Sequence, residues 1–349
     1  MYRYLHLFIL LGLTLVCQQV KSQFSIELVD SSQGQTSFRG LSVVTDKVVW
    51  VSGSKGTVGL SKDGGKSWKW MHIPGFEKSD FRDIEAFDKN TAIIMASGTP
   101  AVILKTVDGG DNWKVVFRDN RPEMFLDAMD FWDKKRGMLV GDPINGRFVL
   151  LETTNGGDSW RMLDSTLCPE AHDSEAVFAA SGTSLRCWGK SGFGFVTGGA
   201  RSVFYHKDAQ NKNWEEYRLG FSRMGIPSQG AFSLARSNKH WLFAGGDYQQ
   251  DTTFRPYSFE YNLLDPVELV ENYHEVSHGY KSSIEVIATD MVIVTGTSST
   301  EIGYFRQING NAQEFRFSKI GNGFHVVRKA KKGKAVFLAG SKGRIGKLR

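Results

Sequence analysis

Seven times along the chain a short apolar run ends on a glycine: VVWVSG to Gly53, AIIMASG to Gly98, GMLVG to Gly141, FGFVTG to Gly198, WLFAG to Gly245, MVIVTG to Gly296 and AVFLAG to Gly340. Successive glycines stand 43 to 57 residues apart, so one unit recurs over most of the 349 residues. A short run that is apolar at nearly every position reads as a strand buried on both faces. Recurrence of such strands at this period is the signature of a β-propeller, whose blades are small antiparallel sheets. The longest step, Gly141 to Gly198, places an insertion in the fourth unit.

Reading outward from each glycine gives four strands per unit. In the first unit these are Gly40 to Thr45, Val48 to Ser52, Val58 to Ser61 and a strand beginning at Trp68. The last unit supplies only three, Phe324 to Arg328, Ala335 to Ala339 and Arg344 to Leu348, before the chain stops. The missing strand is available as Phe24 to Val29, ahead of the first blade. Pairing the two ends would remove two exposed sheet edges. The expected fold is therefore all-β, a seven-bladed propeller of four-stranded antiparallel blades closed by the N-terminal strand, with boundaries near residues 38, 80, 124, 174, 229 and 279.

A second periodic feature follows the first three glycines by about ten residues: SKDGGKSW from Ser61, TVDGGDNW from Thr106 and TTNGGDSW from Thr153, with a stretched copy from His206 through Asp208 to Trp214. The Asp or Asn side chain accepts hydrogen bonds from nearby backbone amides, and Gly-Gly supplies positive φ for a tight turn. The tryptophan then opens the next strand and packs on a neighbouring unit. These segments resemble the Asp box, or BNR repeat, of sialidases and related propellers. There they form turns between the third and fourth strands, away from the binding face, so Asp63, Asp108 and Asn155 are read as structural.

The first 22 residues stand apart. Arg3 gives a positive start, Leu5 to Val16 is unbroken apolar sequence, and Val20-Lys21-Ser22 provides the small residue a signal peptidase needs before Gln23. The apolar stretch is short for a bilayer span, and no later segment is long enough either. Export to the periplasm or outside the cell is expected, with residues 23–349 forming a single propeller domain. Acylation at Cys17 is the weaker alternative, since Leu15-Val16 makes a poor lipobox. Removing Arg3 and Lys21 lowers the formal charge from +6 to +4, too mild an excess to indicate nucleic acid. Cys168 and Cys187 remain, either as a disulfide across the fourth unit's insertion or as two thiols. No Cys/His spacing suggests a metal, and no motif suggests a cofactor.

In this topology the connections into each first strand and the turns between second and third strands emerge on one face. The first set carries Arg39, Arg82, Asp83 and Asp127, along with Glu175, Gln229 and Lys281. The second carries Asp142, Arg147, Arg201, Asp247, Lys342 and Arg344. Together they predict a polar, arginine-rich pole suited to a partner with its own charge pattern. Each residue also has a plain reading as a turn former or surface ion pair. A sialidase-type site would need clustered arginines and a tyrosine beside a carboxylate, for which Arg39, Arg82, Tyr248 and Tyr280 are the available residues. The sequence enforces no such assignment, and no catalytic residue is assigned.

The leader, the seven short units, the DGG-x-[ST]-W turns and the apolar strand ends on glycine together resemble the photosystem II stability/assembly factor family, over about Phe24 to Arg349. The resemblance implies an exported propeller that binds a protein partner or membrane-protein assembly intermediate without established catalysis. It also implies an arginine patch on one face, which Arg39, Arg82, Arg147 and Arg201 would supply. The stretched fourth turn, and fifth and sixth units without a clear box, depart from the pattern. A glycan-binding or sialidase-like propeller is the alternative.

Overall fold

A computed structural model of the chain describes residues 24–208, 213–222, 225–237, 240–251, 259–263, 279–308 and 312–349. The expected leader, residues 1–22, thus lies outside the described residues. Apart from a single 3₁₀ turn at Ser165–Leu167, every described element is a β-strand. The strands form seven antiparallel sheets. Blade 1 runs Phe38–Val43, Val49–Gly53, Thr57–Ser61, Lys69–His72, and blade 2 runs Phe81–Ala86, Ala92–Ala96, Ala101–Thr106, Lys114–Asp119. Blade 3 runs Leu126–Phe131, Gly137–Ile144, Arg147–Thr153, Arg161–Met162, and blade 4 runs Leu185–Trp188, Gly192–Val196, Val203–Lys207, Glu215–Arg218. Blade 6 has Ser283–Ala288, Met291–Thr295, Thr300–Ile308 and Ala312–Gly321. In the seventh sheet Val326–Lys329, Val336–Ala339 and Ile345–Leu348 are joined by Ile26–Asp30 from the other end of the chain, with Ile26 opposite Leu348.

One sheet departs from the expected four strands. Blade 5, with Gln229–Arg236, His240–Asp247 and Phe259–Leu263, also carries the two-residue strands Glu175–Ala176 and Gly198–Gly199 on its inner edge. The close pairing of Gly198 with Gly230 admits no side chain, because a Cβ on Gly198 would lie 2.6 Å from the Gly230 Cα. This is where the long fourth unit diverts part of its chain into the neighbouring blade.

The second strands are apolar throughout because both their faces are covered. All five residues of Val49–Gly53 and of Ala92–Ala96 are buried. Seven apolar clusters fill the gaps between successive blades, from Trp50, Phe81 and Ile94 between the first two blades round to Phe38, Val326 and Phe337 between the seventh and the first. Burial of this kind, at about 25 cal/mol per Å² of apolar surface, is what holds blade to blade. Cys168 and Cys187 are both free thiols packed in or against the cluster between blades 3 and 4.

The DGG turns fix which pole is which. Asp63 Oδ1 accepts from the Lys66 and Ser67 amides at 3.0 and 2.9 Å, while Ser61 Oγ accepts from the Gly65 amide at 2.9 Å. The Ser67 hydroxyl, which donates to Asp63 Oδ2, and then the Ser67 amide hold the Asp63 carboxyl down at about 2. Gly64, Gly109 and Gly156 then donate to the carbonyls of Lys47, Asn90 and Lys135 at 2.7 to 2.9 Å. Those carbonyls belong to the turns between first and second strands, so both kinds of turn share one pole. The first-strand entries stand at the other.

Candidate binding pole

Four of the first strands carry one residue too many near their start. The register shifts between Phe38 and Gly40, Phe81 and Asp83, Leu126 and Ala128, and Ala231 and Ser233, leaving Arg39, Arg82, Asp127 and Phe232 as the unpaired residues. A β-bulge bends the strand and re-aims the extra side chain. Repeated in several blades, it brings side chains from different sheets to the centre of one pole. A cavity of about 330 Å³ lies there, with Arg39, Arg82, Phe178, Phe232, Tyr280 and His325 among its lining residues.

The floor of this cavity is made by the segment from Val177 to Gly182, which links the short strand Glu175–Ala176 to the first strand of blade 4. It touches five other blades as it crosses. Arg39 Nη1 donates to the Ala180 carbonyl at 3.3 Å and Arg82 Nη1 to the Ala179 carbonyl at 3.4 Å. The Val177 amide donates to Asp142 Oδ1 at 3.0 Å, and Ser181 Oγ to the Ser282 carbonyl at 2.6 Å. Phe178 stacks on Phe232 with ring centroids 4.2 Å apart. Gly182 has φ +65°, and a Cβ there would stand 2.1 Å from Asp83 Oδ1, so this crossing requires glycine.

The electrostatics are lopsided. Arg82 is paired with Asp80 at 2.9 Å, whereas Arg39 has no carboxylate within ion-pair distance among the described residues. Burial, and secondarily the charge of Arg82, lower the Arg39 pKa. Burial with the charges of Arg39, Arg344 and Arg82 takes His325 down to about 3, so it is neutral at physiological pH. Burial raises the Tyr280 hydroxyl. The carboxylates beside the cavity are shifted the other way. Asp83 is pushed up to about 7 and Asp142 to about 6, both chiefly by burial. Asp127 is raised well above the usual range, chiefly by burial and secondarily by the charge of Asp142. The pole thus offers a cationic, aromatic-lined hollow in which Arg39 is the least satisfied charge.

The remaining residues expected at this pole hold local structure. Arg147 donates to the Cys168 carbonyl at 2.8 Å and pairs with Glu170, while Arg201 bonds His172, so both tie down the insertion of the fourth unit rather than line the cavity. Asp247 is buried and accepts from the Gln249 amide at 3.0 Å. Arg344 donates to the Gly323 carbonyl at 2.8 Å and lies over the Phe324 ring. Lys342 is exposed in its turn. Lys281 is fully buried against Glu301 at 2.9 Å. Phe178, Phe232 and His325 were not anticipated. The register could have found the last two, since each follows an apolar residue at a first-strand entry as Arg39 follows Phe38. No group of three or more His, Cys, Asp or Glu side chains among the described residues is placed to hold a metal, and no described helix is long and apolar enough to cross a membrane.

Seven small antiparallel sheets define the class, a β-propeller, with the arginine-lined cavity at its first-strand entries. Residues 35–122, which cover the first two blades, match the sequence profile of the photosynthesis system II assembly factor YCF48. No curated protein sequence matches the chain. Among solved structures, YCF48 bound to D1 peptide shares 15% identity over 94% of this chain and 96% of its own, with a TM-score of 0.57. YCF48 from Cyanidioschyzon merolae shares 14% identity over 93% and 99%, at a TM-score of 0.60. A streptogramin B lyase also shares 14% identity over 93% and 97%, at 0.62. At such identities the structural likeness speaks for the fold. With the profile match it makes the chain similar to the photosystem II assembly factor-like propellers.

Proposed function

We propose that the chain is an exported, non-catalytic propeller that binds a protein partner at its cationic pole, as an assembly or stability factor for a membrane-associated complex. The observation that carries this reading is the cavity in which Arg39, without a carboxylate partner among the described residues, and Arg82 face Phe178, Phe232 and Tyr280 from separate blades. Guanidinium groups and aromatic rings lining one cavity suit an acidic or carboxylate-bearing peptide segment, because charge fixes orientation and the rings supply buried area. The D1 peptide in one solved YCF48 structure supports a peptide ligand for a propeller of this shape. The pairing of Ile26–Asp30 with Ile345–Leu348 supports closure of the ring by the N-terminal strand.

The test is affinity capture of the tagged mature protein from its own cell envelope, with crosslinking and mass spectrometry. Wild type is compared with a variant carrying Arg39→Gln and Arg82→Gln. Recovery of one membrane-protein assembly by wild type alone, with an unchanged melting temperature in the variant, is the expected result. Equal recovery by the folded variant would remove the cavity from the reading. The glycan alternative needs a tyrosine beside a carboxylate, and the cavity lining contains Tyr248 and Tyr280 but no Asp or Glu.

A further inference from the structure

The opposite pole has a charge pattern of its own. The turns between first and second strands carry Lys47, Lys89, Lys134, Lys190 and Lys332, from blades 1, 2, 3, 4 and 7, and all five are exposed. The turns of blades 1, 2 and 3 also contain aspartates, each with one carboxylate oxygen held by backbone amides. Asp46 Oδ1 accepts from the Lys334 and Ala335 amides at 2.7 Å. Asp88 Oδ1 accepts from Asn90 and Thr91, and Asp133 Oδ1 from Lys135 and Arg136, at 2.8 to 2.9 Å. Asp46 and Asp133 are themselves exposed, as is Asp290 in the corresponding turn of blade 6, so the lysines outnumber the acids of these turns rather than stand alone. Among the described residues only Lys134 of the five has a carboxylate within ion-pair distance, Asp88 at 3.9 Å.

Val107 adds an apolar element to this pole. It sits in the DGG turn of blade 2, is 66% exposed, and lies close to the Asn90 turn through the Gly109 bond. Five lysines spread over a flat face, with an apolar side chain standing among them, differ from the arginine cluster at the first pole. Lysine is a compact point charge on a flexible stem and suits many separate anionic groups better than one planar carboxylate. No large aromatic side chain is exposed at this pole among the described residues, so base stacking has no platform.

We propose that the lysine pole docks on a bilayer surface that bears anionic headgroups, with Val107 entering the interfacial layer. The strands then stand between membrane and cavity, and since a six-residue strand advances about 20 Å, the arginine cavity would face away from the headgroups at that height. Docking of this kind places the first pole to meet extramembrane segments of a membrane-bound partner. The inference concerns a surface separate from the cavity, so either reading can fail alone.

The experiment is co-sedimentation of the mature protein with phosphatidylcholine vesicles, plain or doped with phosphatidylglycerol, at low and high salt. Retention is expected on the doped vesicles only, with release by salt. A basic side chain near an anionic surface is worth about 1 kcal/mol, or about fivefold in partition. The triple variant K47E/K190E/K332E should therefore lose at least about a hundredfold, and Val107→Asp should weaken binding without touching the lysines. All three lysines are exposed, and an unchanged melting temperature verifies that the variant is folded. Absence of retention on doped vesicles would overturn the proposal. So would full competition by heparin combined with indifference to Val107→Asp, which would assign the pole to a soluble polyanion.

Discussion

Replacing Asp83 by asparagine should change how stability varies with pH. Asp83 is 1% exposed in the first strand of blade 2, with Oδ1 accepting from the Ile84 amide and Oδ2 from the Met129 amide, each at 2.8 Å. Burial raises its pKa from 3.8 to about 7, even though Arg328 and the two amides pull it down. An acid with a raised folded pKa holds its proton more tightly in the native state than in the unfolded chain. Its stabilising share is complete below the unfolded pKa and is lost as pH rises through 7. A shift of about three units corresponds to about 4 kcal/mol, of which about 3 kcal/mol falls between pH 5 and the folded pKa. Asparagine does not titrate, but it turns an NH2 group toward one of the two amides and forfeits one acceptor, at a cost of about 1 to 2 kcal/mol at every pH.

The variant should consequently be the less stable protein near pH 4 and the more stable one at pH 8, by about 2 kcal/mol, with the curves crossing near pH 5. Asp142, at about 6, and Asp127 titrate in both proteins, so the informative quantity is the difference between them. Urea unfolding followed by tryptophan fluorescence at pH 4.5, 6 and 8 measures it. A difference that stays constant across this range would refute the argument that Asp83 is forced to carry its charge inside the ring.

Two further outcomes are expected. Truncation through Asp30 removes the antiparallel partner of Ile345–Leu348 and the Ser25–Arg349 backbone pair at 2.9 to 3.1 Å. With about five hydrogen bonds at about 1 kcal/mol each, and about 2 °C per kcal/mol in a chain of this size, the melting temperature should fall by about 10 °C. Concentration-dependent association through the freed edge should accompany the fall, as light scattering would detect. Gly65→Val should destabilise by about 2 to 3 kcal/mol in chemical denaturation. Gly65 has φ +88°, and its Cβ would stand 3.0 Å from Phe337 of blade 7, so the strain falls on the contact between the first and last blades.

The blades were legible because propeller second strands are buried on both faces, which leaves apolar runs such as Ala92–Ala96 that no amphipathic element would show. The pole that holds the cavity was legible for a related reason. Strand order alone fixes which turns share a face, and it put Arg39 and Arg82 at the same end. What strand order does not carry is the direction of a side chain within that end. Arg39 and Arg82 reach the cavity because each is the extra residue of a bulge, whereas Arg147, which opens the third strand of blade 3, and Arg201, just ahead of Val203–Lys207, are drawn to Glu170 and His172. The path of Val177–Gly182 was hidden for a different reason. The long spacing from Gly141 to Gly198 announces extra chain, but a connection has no periodicity, and its course is set by contacts to five other blades that lie far away in sequence. The Gly182 approach to Asp83 and the Phe178 stack on Phe232 belong to that class of contact. The residue that follows the apolar residue at a first-strand entry therefore carries the most information about the cavity, and by that rule Phe232, after Ala231, and His325, after Phe324, rank beside the two arginines.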